Sequence, residues 1–264
     1  MKLGIISAWS DAGLAKVAEY GLGYAEVCLN NPGEGEAVYN NVAAIKESCA
    51  KYGVNVASMG RWGVKRLLPD GSFNPEELKQ DKFIVAAAAE VGCPVFNMGV
   101  NPIKDMSFED NAALAVEYIK EVKAYADEKG VKVALYNCDW ENILFDKRGW
   151  DIALPAVPGL GIKYDTSHCI NRNGDTLKEM LEYGKYIYHF HVKGTLRIDG
   201  RHVDDPPAGL DQTPWGAVMD LLYIHDYEGV LSIEPHSHVW CKGKRADWGV
   251  LFTKNFISKF ILED

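Results

Sequence analysis

Around position 190 the chain reads Tyr188-His189-Phe190-His191-Val192-Lys193. Alternation along a β-strand places His189, His191 and Lys193 on one face and apolar or aromatic side chains on the other. A strand buried on both faces reads apolar throughout, so three ionisable groups on one face require partners. The run Val230-Leu231-Ser232-Ile233-Glu234-Pro235-His236 repeats the pattern, with Ser232, Glu234 and His236 together. A third run, Ile162-Lys163-Tyr164-Asp165-Thr166-Ser167-His168, ends in an Asp and a His three residues apart. An Asp, a His and a Glu from consecutive strand ends form an oxygen and nitrogen donor set suited to a divalent ion such as Mn2+, Mg2+, Co2+ or Zn2+. Asp165, His191 and Glu234 are therefore the candidate metal ligands. His168 and Lys193 bring a second imidazole and an ammonium to the same strand ends. His236 and His238 have strand spacing and could contribute to a metal site.

These residues need elements that carry them to one place. Short β-rich runs over 2–8, 24–29, 55–59, 95–100, 132–138, 161–166, 186–193 and 230–234 alternate with helical patterns over 11–20, 38–52, 75–91, 108–129, 176–183 and 214–225. Gly21, Gly53, Gly92, Gly130, Gly184 and Gly229 stand just before strands and read as helix C-caps. Ser107, followed by Glu109 and Asp110, reads as an N-cap with acidic residues on the helix dipole. Eight strand–helix units in this length predict a single (β/α)8 TIM barrel over residues 1–264, an α/β fold whose chemistry sits at the C-terminal strand ends. A doubly wound sheet would show a glycine-rich loop after the first strand, where this chain has Ala8-Trp9-Ser10.

Composition narrows the partners. The 264 residues carry 28 basic and 37 acidic side chains, a net charge of −9, which argues against nucleic acid or an anionic membrane. Apolar residues make up 47%, and they are evenly spread, so a folded core is expected. No apolar run approaches the ~18 residues that cross a bilayer, and 3–9 reads as a strand rather than a signal peptide. The six cysteines are scattered without a CxxC pair, which suits a reducing cytoplasm. The aromatic content is compatible with a homo-oligomer.

The stretches GYAEVCL (23–29), AYADEKGVKVALYN (124–137), IKYDTSHC (162–169), YHFHVKG (188–194) and IEPH (233–236) give the sequence a resemblance to the xylose isomerase-like TIM-barrel superfamily, in its sugar phosphate isomerase/epimerase branch. The resemblance implies one divalent ion held by a Glu on the fifth strand, an Asp on the sixth, a His on the seventh and a Glu on the eighth. By position the last three are Asp165, His191 and Glu234. It also implies substrate contacts from His168 and from Arg197, six residues after the metal His. Tyr136 stands where the fifth-strand Glu belongs, and Cys28 replaces a Glu on the second strand. Asn137, Asp139 or Glu141 could supply the missing oxygen; otherwise three protein ligands remain, or no metal. Trp9, Trp62, Trp140, Trp240 and Asn137 lie at or beyond strand ends, where they can line a pocket for substrate. The polar segment 194–213, with Arg197, Arg201 and His202, is a candidate cover.

The implied activity is isomerisation or epimerisation of a sugar or sugar-like polyol by proton abstraction next to a carbonyl, with Glu234 or His168 as the base and a metal or Lys193 stabilising the enediolate oxygen. A lyase or dehydratase acting on a keto-sugar or keto-inositol uses the same first step. A metal-free carbohydrate-binding relative is the third reading. Metal-dependent phosphodiester cleavage fits poorly, because the ligands are too few and the charge is wrong for DNA.

Overall fold

A computed structural model describes residues 1–262, so the last two residues of the expected domain lie outside the described part. In chain order the first half runs β1 (Lys2–Ser7), α1 (Asp11–Glu19), β2 (Tyr24–Cys28), α2 (Glu34–Asn40), α3 (Val42–Tyr52), β3 (Asn55–Arg61), α4 (Pro75–Val91), β4 (Val95–Met98) and α5 (Phe108–Glu128). The second half runs β5 (Lys132–Tyr136), α6 (Lys147–Ala156), β6 (Gly161–Asp165), α7 (Thr166–Asn171), α8 (Thr176–Tyr183), β7 (Ile187–Val192), β8 (Leu196–Ile198), β9 (Arg201–Asp204), α9 (Trp215–Ile224), β10 (Val230–Ile233) and α10 (Lys244–Ser258). Eight strands close in the order β1-β10-β7-β6-β5-β4-β3-β2, all in parallel pairs. The expected barrel is present. No helix among the described residues is long and apolar enough to cross a membrane.

Departures from the expected elements cluster where the chain leaves the sheet. Several strands stop one or two residues short of their expected C-terminal ends, where the chain turns into the loops. Asp165 ends β6 by capping α7: its Oδ1 accepts the Ser167 N–H at 2.8 Å. The helix expected over 38–52 breaks at Asn41 into α2 and α3. Helices α6 and α10 and the antiparallel hairpin β8–β9 were not among the expected elements. The Ser107 cap forms as expected, with its hydroxyl accepting the Asp110 N–H. Gly92 adopts a left-handed φ of +75° after α4, the conformation that a C-cap requires. Gly184 does not, with φ −54°; it is small because any side chain there would strike the His225 ring.

Outward residues of the strands pack under the helices, as Tyr164 of β6 does against Trp150 of α6 and Phe190 of β7. The inward face is polar over much of its height, with Glu26, Ser58, Lys163, Asp165, His189 and His191 all buried. Buried Arg66 fixes the neighbouring rim. It pairs with Asp81 of α4 and donates to the carbonyls of Arg61, the last residue of β3, and Gly99, the first after β4.

Candidate active site

Strand register brings the three sequence-selected residues together. Asp165 pairs with His191 across β6 and β7, and Ser232 of β10 sits opposite His191, so Glu234 emerges just beyond it. His191 Nδ1 lies 3.2 Å from Glu234 Oε2 and 3.8 Å from Asp165 Oδ2. Lys193 Nζ lies 2.9 Å from both of those carboxylate oxygens. It is also 3.4 Å from His168 Nε2, which α7 presents one turn after Asp165. Asp165, His168, His191, Lys193 and Glu234 thus form one cluster at the carboxyl end of the barrel.

A second buried layer supports this cluster from below. Glu26 of β2 is fully buried, and its Oε2 accepts from His191 Nε2 at 2.6 Å and from His189 Nε2 at 2.7 Å. An ionised carboxylate only accepts, so both imidazoles carry their proton on Nε2. Lys163 of β6 lies 3.6 Å from Glu26 Oε1, and its ammonium stands over the rings of Trp62 and Tyr136. The alternation expected for β7 therefore holds, and His189 is a bonded core residue. Sequence reading missed Glu26 and Lys163. The available signal was an isolated charge in the middle of an otherwise apolar strand.

Charges balance within this interior. Burial works against charge on His191, but Glu26 overcomes it and raises the imidazole to about 10. Burial likewise disfavours a charged Lys193, yet Asp165 and Glu234 hold its ammonium well above the ordinary lysine value. Asp165 and Glu234 are themselves held well below the usual carboxylate range, against burial, chiefly by Lys193. Burial pushes His168 down to about 4, with Asp165 opposing. His168 is thus a neutral imidazole at neutral pH, with a quarter (25%) of its side chain exposed at the mouth. Three carboxylates (Glu26, Asp165, Glu234) face three cations (Lys163, Lys193, His191).

The remaining sequence-selected residues divide. Trp62 is nearly buried and stacks obliquely on Tyr136 at 5.2 Å, making one wall of the interior. Trp9 is partly buried against the core beyond β1. Asn137, expected on substrate, instead clamps β5 to β6: its side chain exchanges bonds of 2.8 and 2.9 Å with the Asp165 backbone. Arg197, also expected on substrate, donates to the carbonyls of Ile170 and Gly200, so its guanidinium braces the hairpin to α7. Its Nε is buried without a partner. After Pro235, His236 and His238 pair with Asp205 and Asp204 of the hairpin segment. Trp240 stacks on Trp248 of α10. Trp140 is half-exposed and rests on Gly63, whose missing side chain makes room for the indole.

Among the described residues two donor groups, each with ligand atoms within 4.8 Å of one another, could hold a metal: Asp165, His191 and Glu234, and Glu26, His189 and His191. The first matches a divalent ion in donor type, and Glu26 on the far ring nitrogen of His191 is the support that a ligating His usually has. Its occupancy by Lys193 does not match. An ion ~2.1 Å from the two carboxylate oxygens would lie no more than about 5 Å from Nζ. For a dication that repulsion is roughly 7 kcal/mol at an effective dielectric of 20. Nor does a fourth donor replace the absent Glu. The Tyr136 hydroxyl donates to the Trp140 carbonyl at 2.8 Å, Asp139 is exposed, and Glu141 pairs with Lys65. With Lys193 in this position, the residues do not fit a divalent ion.

Comparison with known proteins agrees with the architecture. A D-psicose 3-epimerase from Clostridium cellulolyticum H10, solved with D-tagatose, superposes with a TM-score of 0.78 at 16% identity, over 98% of this chain and 99% of that one. The IOLI protein with a bound zinc atom gives 0.79 at 16% identity, over 100% of both chains. The apo 3-keto-D-glucoside 4-epimerase YcjR from E. coli gives 0.74 at 15% identity, over 98% of this chain and 99% of that one. A search of curated protein sequences found no match. Residues 14–255 match the family model of the xylose isomerase-like TIM barrel. The chain belongs to the xylose isomerase-like TIM-barrel family.

Proposed function

We propose that this protein is an isomerase or epimerase of a sugar or sugar-like polyol, working by proton transfer at the carbon next to a carbonyl. One observation carries the reading: a neutral imidazole, His168, and a charged ammonium, Lys193, face each other 3.4 Å apart at the mouth of the barrel. Enolisation needs such a pair, a base for the carbon-bound proton and a positive charge for the oxygen that becomes an enediolate. His168 is the base, because it is neutral and reachable. Glu234, the other candidate, is committed to Lys193 and His191 and held too acidic to take a proton readily. Lys193 stabilises the oxyanion by turning to it the N–H that it directs at His168 Nε2, which frees that nitrogen to take the proton. Asp165 positions both groups, with Oδ1 capping α7 and Oδ2 on the ammonium. The sequence resemblance suggested a metal in the oxyanion role. Its carboxylates here hold Lys193, so the step is written through the ammonium.

The similar folds crystallised with D-fructose and D-tagatose support a sugar-sized substrate. Trp62 and Trp9 beside the strand ends offer apolar surface for its carbon–hydrogen faces. The test is incubation with a panel of ketoses, aldoses and keto-inositols in deuterated water, followed by proton NMR. Deuterium should enter next to the carbonyl of at least one substrate, with an isomer or epimer appearing alongside. Release of a dehydrated product would move the reading to the lyase. No exchange across the panel overturns it.

A further inference from the structure

We infer that Lys193 is the resident cation of this site, and that its ammonium, together with Tyr136, has converted a metal-type ligand set into a metal-free one. The inference concerns the site assigned above to proton transfer, but it is read by metal binding rather than turnover.

Three independent features of the chain converge. First, Nζ of Lys193 bridges Asp165 Oδ2 and Glu234 Oε2 at 2.9 Å each, the two oxygens that an ion would need. The side chain is buried. Second, the position that would supply a fourth donor is closed by Tyr136. Its ring fills the space beside Gly99 and Asn142, stacks on Trp62, and sends its hydroxyl outward to the Trp140 carbonyl. A phenol so placed offers nothing to a hard cation at the barrel centre. Third, Lys163 is an additional interior cation beside the same ring, lying 3.6 Å from Glu26. An aromatic residue has taken the place of an anion, and two ammonium groups hold the remaining carboxylates. The cluster reaches neutrality from its own side chains.

The corollary is that the metal site is latent. Removing Lys193 leaves Asp165, His191 and Glu234 as a charge-deficient donor set, and a Glu at 136 would restore the fourth ligand. The wild-type protein, Lys193→Gln, and the double variant Lys193→Gln with Tyr136→Glu are each purified without chelator, assayed for metal by mass spectrometry, then stripped and titrated with Mn2+, Co2+ and Zn2+ by calorimetry. The wild type should hold substoichiometric metal. The double variant should bind one equivalent about a hundredfold or more tightly than the wild type, because it loses a cation and gains a donor. Co2+ should then show the visible absorption of a coordinated ion. One tightly held equivalent in the wild type overturns the inference. So does a folded double variant, judged by circular dichroism, that binds no better than the wild type. If the double variant does not fold, the single variant and the wild-type stoichiometry decide in the same way. None of these readouts depends on finding a substrate, so failure of the enzymatic reading and failure of this one remain distinguishable.

Discussion

Replacing Glu26 by Gln tests the support beneath the site and yields a signature in pH. Glu26 raises His191 from the ordinary imidazole value of 6.5 to about 10. The folded value lies above the unfolded one, so this group's stabilisation is present in full below pH 6.5 and is lost as pH rises through about 10. The rise corresponds to roughly 5 kcal/mol at its limit, of which about 4 kcal/mol should disappear between pH 6 and 9.5. Stopping at 9.5 keeps clear of the ordinary tyrosine and lysine titrations. In Glu26→Gln the carboxamide still accepts one ring N–H but no longer supports a charged imidazole. The variant should be less stable than the wild type at pH 6 by about 3–5 kcal/mol, the usual cost of breaking a buried ion pair. The gap should narrow by most of that amount at pH 9.5. Urea unfolding followed by circular dichroism at pH 6, 8 and 9.5 measures both, with linear extrapolation to water. A wild-type stability that is flat from pH 6 to 9.5, or a gap that does not change with pH, would refute the assignment of a Glu26-held proton on His191. The buried cysteines, whose thiols are raised in the fold, also lower stability toward pH 9.5, so the deciding quantity is the change in the gap, in which they cancel.

Other outcomes follow from the same geometry. His168→Gln should lower deuterium exchange by about 10²–10⁴-fold while costing no more than about 1 kcal/mol in urea, since the carboxamide oxygen can still accept the Lys193 N–H. In the wild type, exchange should rise as pH passes upward through about 4, where His168 loses its proton, and stay level to pH 8; a step near 6.5 instead would remove His168 from the role. Asn137→Ala strips two bonds from the Asp165 backbone and should cost roughly 2–4 kcal/mol of stability in urea, with slower exchange as Asp165 shifts.

The barrel was legible from the chain because parallel strands buried on both faces and amphipathic helices with end signals leave periodic traces. The expectations for 75–91 and 176–183 match α4 and α8 to the residue. The short helix α7 was hidden, because Asp165 reads as a strand residue until its side chain is seen capping the next turn. The strand alternation that groups His236 with Glu234 ends at Pro235, and the His236 ring pairs with Asp205, a partner that strand parity does not reveal. Asn137 and Arg197 looked like substrate contacts. Both are polar residues near strand ends, and only their partners show that they brace the backbone.

For function, the amino-acid sequence alone determined which chemistry-bearing groups face inward: Asp165, His191, Lys193 and Glu234 follow from strand parity, which depends only on local backbone geometry. It also showed that the fifth strand carries Tyr136 in place of an anion. Tertiary structure decided what those groups do to one another. Glu26 lies 165 positions from His191 in the chain yet 2.6 Å from it across the barrel. Whether Asp165 and Glu234 wait for an ion or already hold an ammonium depends on where a flexible lysine ends. Proton affinities and ion pairs depend on distance and burial in space, which closing eight strands into a ring creates and no stretch of sequence contains.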